Sequence, residues 1–383
     1  VSEKISNFNL KNILRYLIRN NEGVTRSELC KNLHVSFPAV TFNLKKLMEQ
    51  GLVTEEDIQL ENSTIGRNPK IIKLNEKYGI IVSIHIGYKI VEILFLNTKA
   101  DVIYKNDFEI PKNISFSELN EMLAQKVNKN ASLCDFKNGA ENILAVAVAL
   151  PGIIDKEKLK LISSKFYNWQ NIELPEYMKI NDSKTNIYWE NDSNVLARGI
   201  FYKNPELDNI LAFYMGVGIG IGIIINKKLY TGSRGMAGEM GNITFPMREK
   251  TVNLEQFISE ESLIKFAKEN MNIEEKEHHK ILREMDKRID DEKLRENFEV
   301  ISNYVGIFFA LIARAFDPQK IVFDGTIVRN CPNLSHMITG KLRNFTDVKE
   351  DQVYIVDGNE TTMVKGLYAI AIDKSLDLEF FNE

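Results

Sequence analysis

Apolar residues recur at three- and four-residue intervals through the first fifty positions, and those intervals predict three short helices. Leu10, Ile13, Leu14, Leu17 and Ile18 form one stripe on a helix from about Asn7 to Arg19, which Asn21-Glu22-Gly23 interrupts. Thr25, with Glu28 three residues on, completes a capping box and opens a second helix ending near Leu33. After a short turn at His34-Val35, Ser36 is expected to cap a third helix, with Pro38 tolerated in its first turn. On that helix Val40, Leu44, Leu47 and Met48 share a face, while Pro38, Ala39, Thr41, Phe42 and Lys45 point elsewhere. This is helix–turn–helix spacing, with the third helix in the position that enters a major groove. Leu52-Val53-Thr54 and Ile71-Ile72-Lys73-Leu74 then predict a two-stranded wing. Its tip offers Arg67 beside Gly66, the kind of group that enters a narrow minor groove. The candidate DNA contacts are Ser36, Phe37, Pro38, Ala39, Thr41, Phe42, Lys45 and Arg67. Phe42 is either a thymine-methyl contact or a packing residue against a second protomer.

Beyond residue 75 the pattern changes. Ile80 to Lys89 and Val91 to Asn97 predict a β-hairpin with a glycine at the bend, and Leu144 to Leu150 a buried strand ending in Pro151-Gly152. Ile210–Tyr214 and Ile219–Ile225 predict paired strands, followed by a glycine-rich stretch from Gly232 to Asn242. Residues 255–315 read as mostly helical, Lys320 to Gly325 as a late strand, and a last strand–helix unit starts at Val353. Strands mixed with helices over this length predict an α/β fold with two lobes and a cleft near residues 150–255. The expected division is a DNA-binding head at 1–75 and a body at 76–383. Within the body, the extended Ile187-Tyr188-Trp189 runs into Glu190-Asn191-Asp192-Ser193-Asn194, and a helical pattern follows. Such a strand–helix junction sets fixed acceptors at a cleft edge, which suits a polyhydroxylated ligand. An aspartate there could also take a proton from a hydroxyl. The alternative is that Asn191 or Asp192 only caps the helix.

Composition narrows these readings. The 383 residues are 44% hydrophobic and 27% charged, enough for two or three domains. Cys30, Cys134 and Cys331 lack disulfide-like or metal-like spacing, which fits a reducing cytoplasm. The first residues lack the apolar core of a signal peptide, and the uncharged run from Leu211 to Asn226 is short for a membrane span. Residues 1–75 carry eleven Lys/Arg against eight Asp/Glu, so a mildly basic head precedes an acidic body.

In order and spacing, these elements resemble the ROK family (repressors, open reading frames, kinases), in its repressor branch. The matching residues are Gly66-Arg67-Asn68-Pro69, Pro151-Gly152, Glu190 to Asn194, Gly216-Val217-Gly218-Ile219-Gly220-Ile221-Gly222, Ala237-Gly238-Glu239-Met240-Gly241 and Leu254-Glu255. The resemblance covers nearly the whole length. It implies an N-terminal winged helix–turn–helix followed by an α/β, actin-like (sugar-kinase) two-lobed fold. It also implies sugar contacts from Gly152, Asn191, Asp192, Glu239 and Glu255, with Asp192 at the position of the kinase base. Where family kinases carry Asp-x-Gly-Gly-Thr, this chain has His85-Ile86-Gly87-Tyr88-Lys89. Their Gly-Thr-Gly loop is Gly216-Val217-Gly218 here, and their late Gly-Gly pair is Asp324-Gly325, expected to add negative charge beside a polyanion. Phosphoryl transfer needs that cradle, so no catalysis is expected.

The family's zinc histidine, which also touches the sugar, is Asn242, and residues 243–258 contain no cysteine; the last family cysteine aligns with Asn253. Zinc is therefore not expected, and neither is any other cofactor. Asn242 is retained as a candidate sugar contact. The resulting expectation is a cytoplasmic, sugar-responsive transcription regulator, a repressor of carbohydrate-metabolism genes. Its expected partners are operator DNA and a sugar or sugar-phosphate effector, as a homodimer or dimer of dimers with no membrane association. The alternatives are an active sugar kinase with a DNA-binding head, or a repressor controlled by a protein partner.

Overall fold

The computed structural model describes residues 2–57, 70–87, 89–111, 113–131, 143–180, 182–247, 250–275, 277–356 and 362–378. The head comprises α1 (Ser2–Arg19), β1 (Val24–Thr25), α2 (Arg26–Leu33), α3 (Phe37–Glu49), β2 (Val53–Asp57) and β3 (Lys70–Leu74). The apolar stripes meet as predicted: Ile13, Leu14, Leu17, Ile18, Leu29, Val40, Leu44 and Leu47 are all buried. The capping box forms, with Thr25 Oγ1 accepting from the Glu28 N–H and the Glu28 carboxylate accepting from the Thr25 N–H. Three details differ from expectation. Ser36 occupies the N-cap of α3 with extended backbone, but its side chain makes no capping hydrogen bond. Met48 is half-buried at the edge of the buried face. The wing has three strands, in the order β1-β3-β2, because Val24 and Thr25 pair with Ile72 and Ile71. The wing tip, Arg67 included, lies outside the described residues.

The chain divides into two compact units. One comprises residues 1–150, 165–190 and 367–382; the other comprises 151–164 and 191–366. The body's next elements are β4 (Ile80–Ile86), β5 (Ile90–Leu96), β6 (Val102–Glu109), α4 (Phe116–Ala131) and β7 (Ile143–Leu150). Then follow β8 (Ile153–Asp155), β9 (Lys160–Ser164), β10 (Trp169–Glu173), β11 (Tyr177–Ile180) and β12 (Ser183–Asn191). In the first unit a six-stranded sheet has the order β11-β12-β7-β4-β5-β6, with β4 and β7 parallel. Residues pointing to both faces of these two central strands are buried, which is why the strands read as near-continuous apolar runs. The β4–β5 bend falls at Gly87, whose N–H donates to Ile90 O at 3.0 Å. The head joins this unit through Lys11 to Asp377 at 2.8 Å, Arg15 to Leu378 O, and Asn21 to Lys99 O at 2.8 Å.

The second unit begins its main run with α5 (Asp192–Lys203), then β13 (Ile210–Met215), β14 (Ile219–Ile225), β15 (Lys228–Leu229), β16 (Thr244–Met247) and β17 (Lys250–Asn253). Four helices follow: α6 (Leu254–Phe257), α7 (Glu260–Asn270), α8 (His278–Lys287) and α9 (Glu292–Phe316). The chain closes with β18 (Lys320–Asp324), α10 (Thr326–Asn330), α11 (Pro332–Asn344), β19 (Val353–Ile355) and α12 (Thr362–Leu376). Five strands form a sheet in the order β15-β14-β13-β18-β19, and β18 runs parallel to β13. Its core is aromatic: the Phe213 ring lies 4.1 Å from that of Phe309 and stacks on that of Phe323 at 5.0 Å. Among the described residues α9 is the one helix long and apolar enough to cross a membrane. Its Leu294, Phe298, Ile301, Val305, Phe309 and Ile312, spaced by three and four, are instead buried in this core.

Phe309 has no solvent exposure, so Phe309→Ala is expected to cost about 3–5 kcal/mol, read as a lowered midpoint in urea unfolding with an unchanged slope.

Candidate functional site

The chain crosses into the second unit between residues 150 and 151 and again between 190 and 191. Gly152 and Asn191, each just past a crossing, are hydrogen-bonded to each other. Asn191 is the N-cap of α5: its Oδ1 accepts from Ser193 N–H at 2.9 Å, Ser193 Oγ–H at 2.6 Å and Asn194 N–H at 3.4 Å. Its Nδ2 donates to Gly152 O at 2.9 Å and reaches Glu239 Oε1 at 3.4 Å. One amide therefore caps a helix, fixes the backbone turn after β7 and holds a carboxylate. Gly152 has φ 153°, and a Cβ there would lie 2.6 Å from Ser163 O, so the turn admits only glycine.

The second carboxylate group comes from a different part of the same unit. Glu239 precedes a 3₁₀ turn, Met240–Asn242, and the Gly238 carbonyl accepts from Ile221 N–H at 2.9 Å, tying this loop to β14. Glu255 lies in the first turn of α6, whose N-cap is Asn253, with Oδ1 accepting from Glu255 N–H at 3.0 Å. The Glu255 carboxylate rests on Gly241, where an added Cβ would fall 2.5 Å from Oε1. Asn242, at the end of the 3₁₀ turn, is exposed. Thus Gly152, Asn191, Asp192, Glu239, Asn242 and Glu255 all belong to one unit, and direct contacts link Gly152, Asn191 and Glu239. Two supporting residues were not singled out from sequence: Ser193, which donates to Asn191, and Asn253 as a cap. Their signal was present, since Asx and Ser residues at helix starts are capping candidates.

Asp192 stands at the head of α5, where its Oδ1 accepts from Ser193 N–H at 2.9 Å. Crowding by protein strips water from its carboxyl and raises the pKa to about 6, backbone N–H groups oppose the shift, and Glu255 adds to it. The site is therefore acidic and under-hydrated, and a ligand that donates hydroxyl hydrogens would replace the missing water.

The segment that follows Asn242 is packed by rings. Phe245 on β16, Phe257 on α6 and Tyr304 on α9 form a triangle with centroid separations of 5.6, 5.6 and 5.7 Å. Tertiary packing of this kind anchors the β16–β17 hairpin, which the sequence pattern did not predict.

His85 on β4 lies in register opposite Glu92 on β5. Tyr88 lies outside the described residues. In the second unit, Gly216 N–H donates to Gly218 O at 3.0 Å, and the Tyr214 ring closes over Gly216. Burial pushes the Tyr214 phenol above its usual range, with Asp192 and Asp324 adding to the shift. Asp324 is almost wholly buried and accepts from Arg329 Nε at 2.6 Å and Nη2 at 2.9 Å, and from Gly325 N–H at 2.6 Å. The negative charge expected at Asp324 is present but paired: a bidentate guanidinium five residues on offsets it. Trp169 packs within the first unit, stacked on Tyr167 at 4.3 Å and donating from Nε1 to Ile114 O at 3.0 Å.

In the head, α3 buries Val40, Asn43, Leu44 and Leu47 and exposes Ser36, Phe37, Pro38, Phe42 and Lys45; Ala39 and Thr41 are half-buried.

The raised pKa of Asp192 is a stability statement. Between pH 4 and 6 the folded state binds more protons than the unfolded one, so stability falls as pH rises through that window, and above pH 6 the full penalty remains. A shift of about two units corresponds to roughly 3 kcal/mol at most. Asp192→Asn is therefore expected to raise the thermal midpoint of the ligand-free protein at pH 7.5. That advantage should vanish at pH 4, and an equal gain at both pH values would refute this origin.

Comparison with known proteins places these features. A profile described as winged helix-turn-helix DNA-binding matches residues 9–54, and one described as ROK family matches residues 81–361. A xylose repressor from Staphylococcus xylosus is 24% identical over 98% of this chain and 97% of its own length. A ROK family transcriptional regulator, described as a homologue of the E. coli MLC protein, superposes with a TM-score of 0.76 at 18% identity, covering 98% of this chain and 99% of its own. A ROK hexokinase from Thermus thermophilus superposes with a TM-score of 0.59 at 17% identity, over 78% of this chain and 99% of its own. The superpositions show the fold: a winged helix–turn–helix ahead of an α/β, actin-like domain of the kind shared with sugar kinases. By its profile match over most of the length, this chain belongs to the ROK family.

Proposed function

We propose that the protein is a sugar-responsive DNA-binding transcription regulator acting as a repressor, in which a former kinase site serves as the sensor. Residues 1–75 form the DNA-binding domain, and residues 76–383 form the sugar-binding and oligomerisation domain. The observation that carries this reading is the union, in one chain, of an exposed helix–turn–helix face and the site framed by Asn191. Gly152, Asn191, Asp192, Glu239, Asn242 and Glu255 are the sugar-binding set, with Asn191 acting chiefly as the frame. Arg67, which the sequence sets between β2 and β3, joins the α3 residues as a DNA contact. Asp192, Glu239 and Glu255 favour hydroxyl donors and repel anions, which supports an unphosphorylated sugar over a sugar phosphate. The repressor named for xylose among the relatives supports including pentoses in any screen.

The protein is read as non-enzymatic. His85 stands in place of a carboxylate, and Val217 lacks the hydroxyl. Paired heads match paired half-sites, so a homodimer or dimer of dimers is expected. Val300, Ile307 and Leu311 form an exposed apolar stripe on α9 that supports self-association. The reading places the protein in the cytoplasm. The sugar controls DNA binding only through different affinities for the two states of the protein.

In a thermal-shift panel of neutral mono- and disaccharides beside their phosphates, a neutral sugar at hundredfold excess over its Kd should raise the midpoint by about 3 °C. Asp192→Asn should weaken that sugar's binding about 10- to 100-fold while leaving DNA binding in its absence unchanged. Sugar-dependent ADP release abolished by Asp192→Asn would establish the kinase alternative instead.

A further inference from the structure

Apart from Ser36 at its N-cap and Lys45, the face that α3 turns outward offers few groups that hydrogen-bond to bases. Asn43 is the one amide within the helix's first two turns, and it is buried and donates to Ala39 O at 2.8 Å. The Thr41 hydroxyl oxygen is buried and meets no partner among the described residues, so it too faces away from a groove. What α3 projects is apolar: Phe37 and Phe42, 53% and 54% exposed, with Pro38 between them. The Lys46 ammonium sits 4.7 Å from the Phe42 ring centroid and holds that ring in place. Lys45, with 78% of its side chain exposed, stands one turn on, with Glu49 at 3.8 Å.

In a major groove one base-edge group is apolar, the C5-methyl of thymine. A large exposed aromatic on the groove-facing side of a recognition helix has no other apolar surface to meet there. We propose that this helix reads its operator through thymine methyl groups, with Phe42 the principal specificity-determining residue and Phe37 the second, while Lys45 contacts phosphate. The proposal rests on the DNA-binding reading above and names the chemistry of its target: half-sites with thymine at the positions facing α3. It also separates the two roles open to Phe42, since a residue packed on a second protomer would be indifferent to the base.

The test begins with the full-length protein and a randomised duplex library, from which a preferred duplex is selected. Each thymine is then replaced singly by deoxyuridine, which removes the methyl and leaves pairing intact. At one or more positions in each half-site, the replacement should weaken binding about three- to tenfold, as expected for burial of one methyl against an aromatic ring. Phe42→Ala should lose that discrimination and bind dT and dU duplexes equally, Phe42→Leu should keep part of it, and Lys45→Ala should weaken both duplexes alike. Selective binding that no dU replacement alters would overturn the thymine proposal while leaving the repressor reading intact. So would discrimination that survives in Phe42→Ala, or a dimer that dissociates in Phe42→Ala with unchanged discrimination. Failure to select any duplex would overturn the repressor reading itself.

Discussion

Asn191 uses its entire side-chain amide on the protein. Its oxygen closes the start of α5, and its nitrogen binds the carbonyl of Gly152 and reaches Glu239. An uncapped helix start costs on the order of 1 kcal/mol, and a buried carbonyl left unpaired costs about as much again. The larger consequence is positional. Three segments separated by dozens of residues share one planar group, so the turn after β7, the head of α5 and the Glu239 carboxylate are placed relative to one another by it. The alternatives left open by the sequence, a cap or a ligand site, are therefore not exclusive. Asn191 is the cap, and Asp192 beside it keeps one carboxylate oxygen on the Ser193 N–H.

The electrostatics follow from that placement. Asp192 and Glu255 lie close enough to raise the pKa of Asp192, and crowding raises it further. Natural sites retain such destabilising groups where binding requires them. The same economy is visible elsewhere in the second unit. Asp324 is offset by Arg329, and a ring triangle of Phe245, Phe257 and Tyr304 packs the β16–β17 hairpin.

How far this could be read from sequence depended on distance along the chain. The head was legible because its helices carry clean periodicity and the Thr25–Glu28 box is local. The buried β4, β7, β13 and β14 were legible because apolar runs between turn residues leave few alternatives. The short strands of the β16–β17 hairpin were not, since Thr244 and Pro246 are exposed and carry no alternation. The guanidinium that neutralises Asp324 lies five residues on, across a strand–helix turn, and no periodicity announces such a pair. Tyr304 joins Phe257 across 47 residues, a contact only the fold supplies. Family resemblance located Asp192, Glu239 and Glu255, but it carried no information on what holds them.

The last helix gives the molecule an order of assembly. Lys11 and Arg15 in α1 find their partners in Asp377 and Leu378, 366 and 363 residues later. At translation rates of 5–20 residues per second, the interval between making the two sides of this contact is roughly 20–70 s. The three helices of the head have their own apolar core, whereas the ties at Asp377 and Leu378 wait on residues made hundreds of positions later. A chain cut short before residue 377 would lack those ties while keeping the residues of the head's own apolar core.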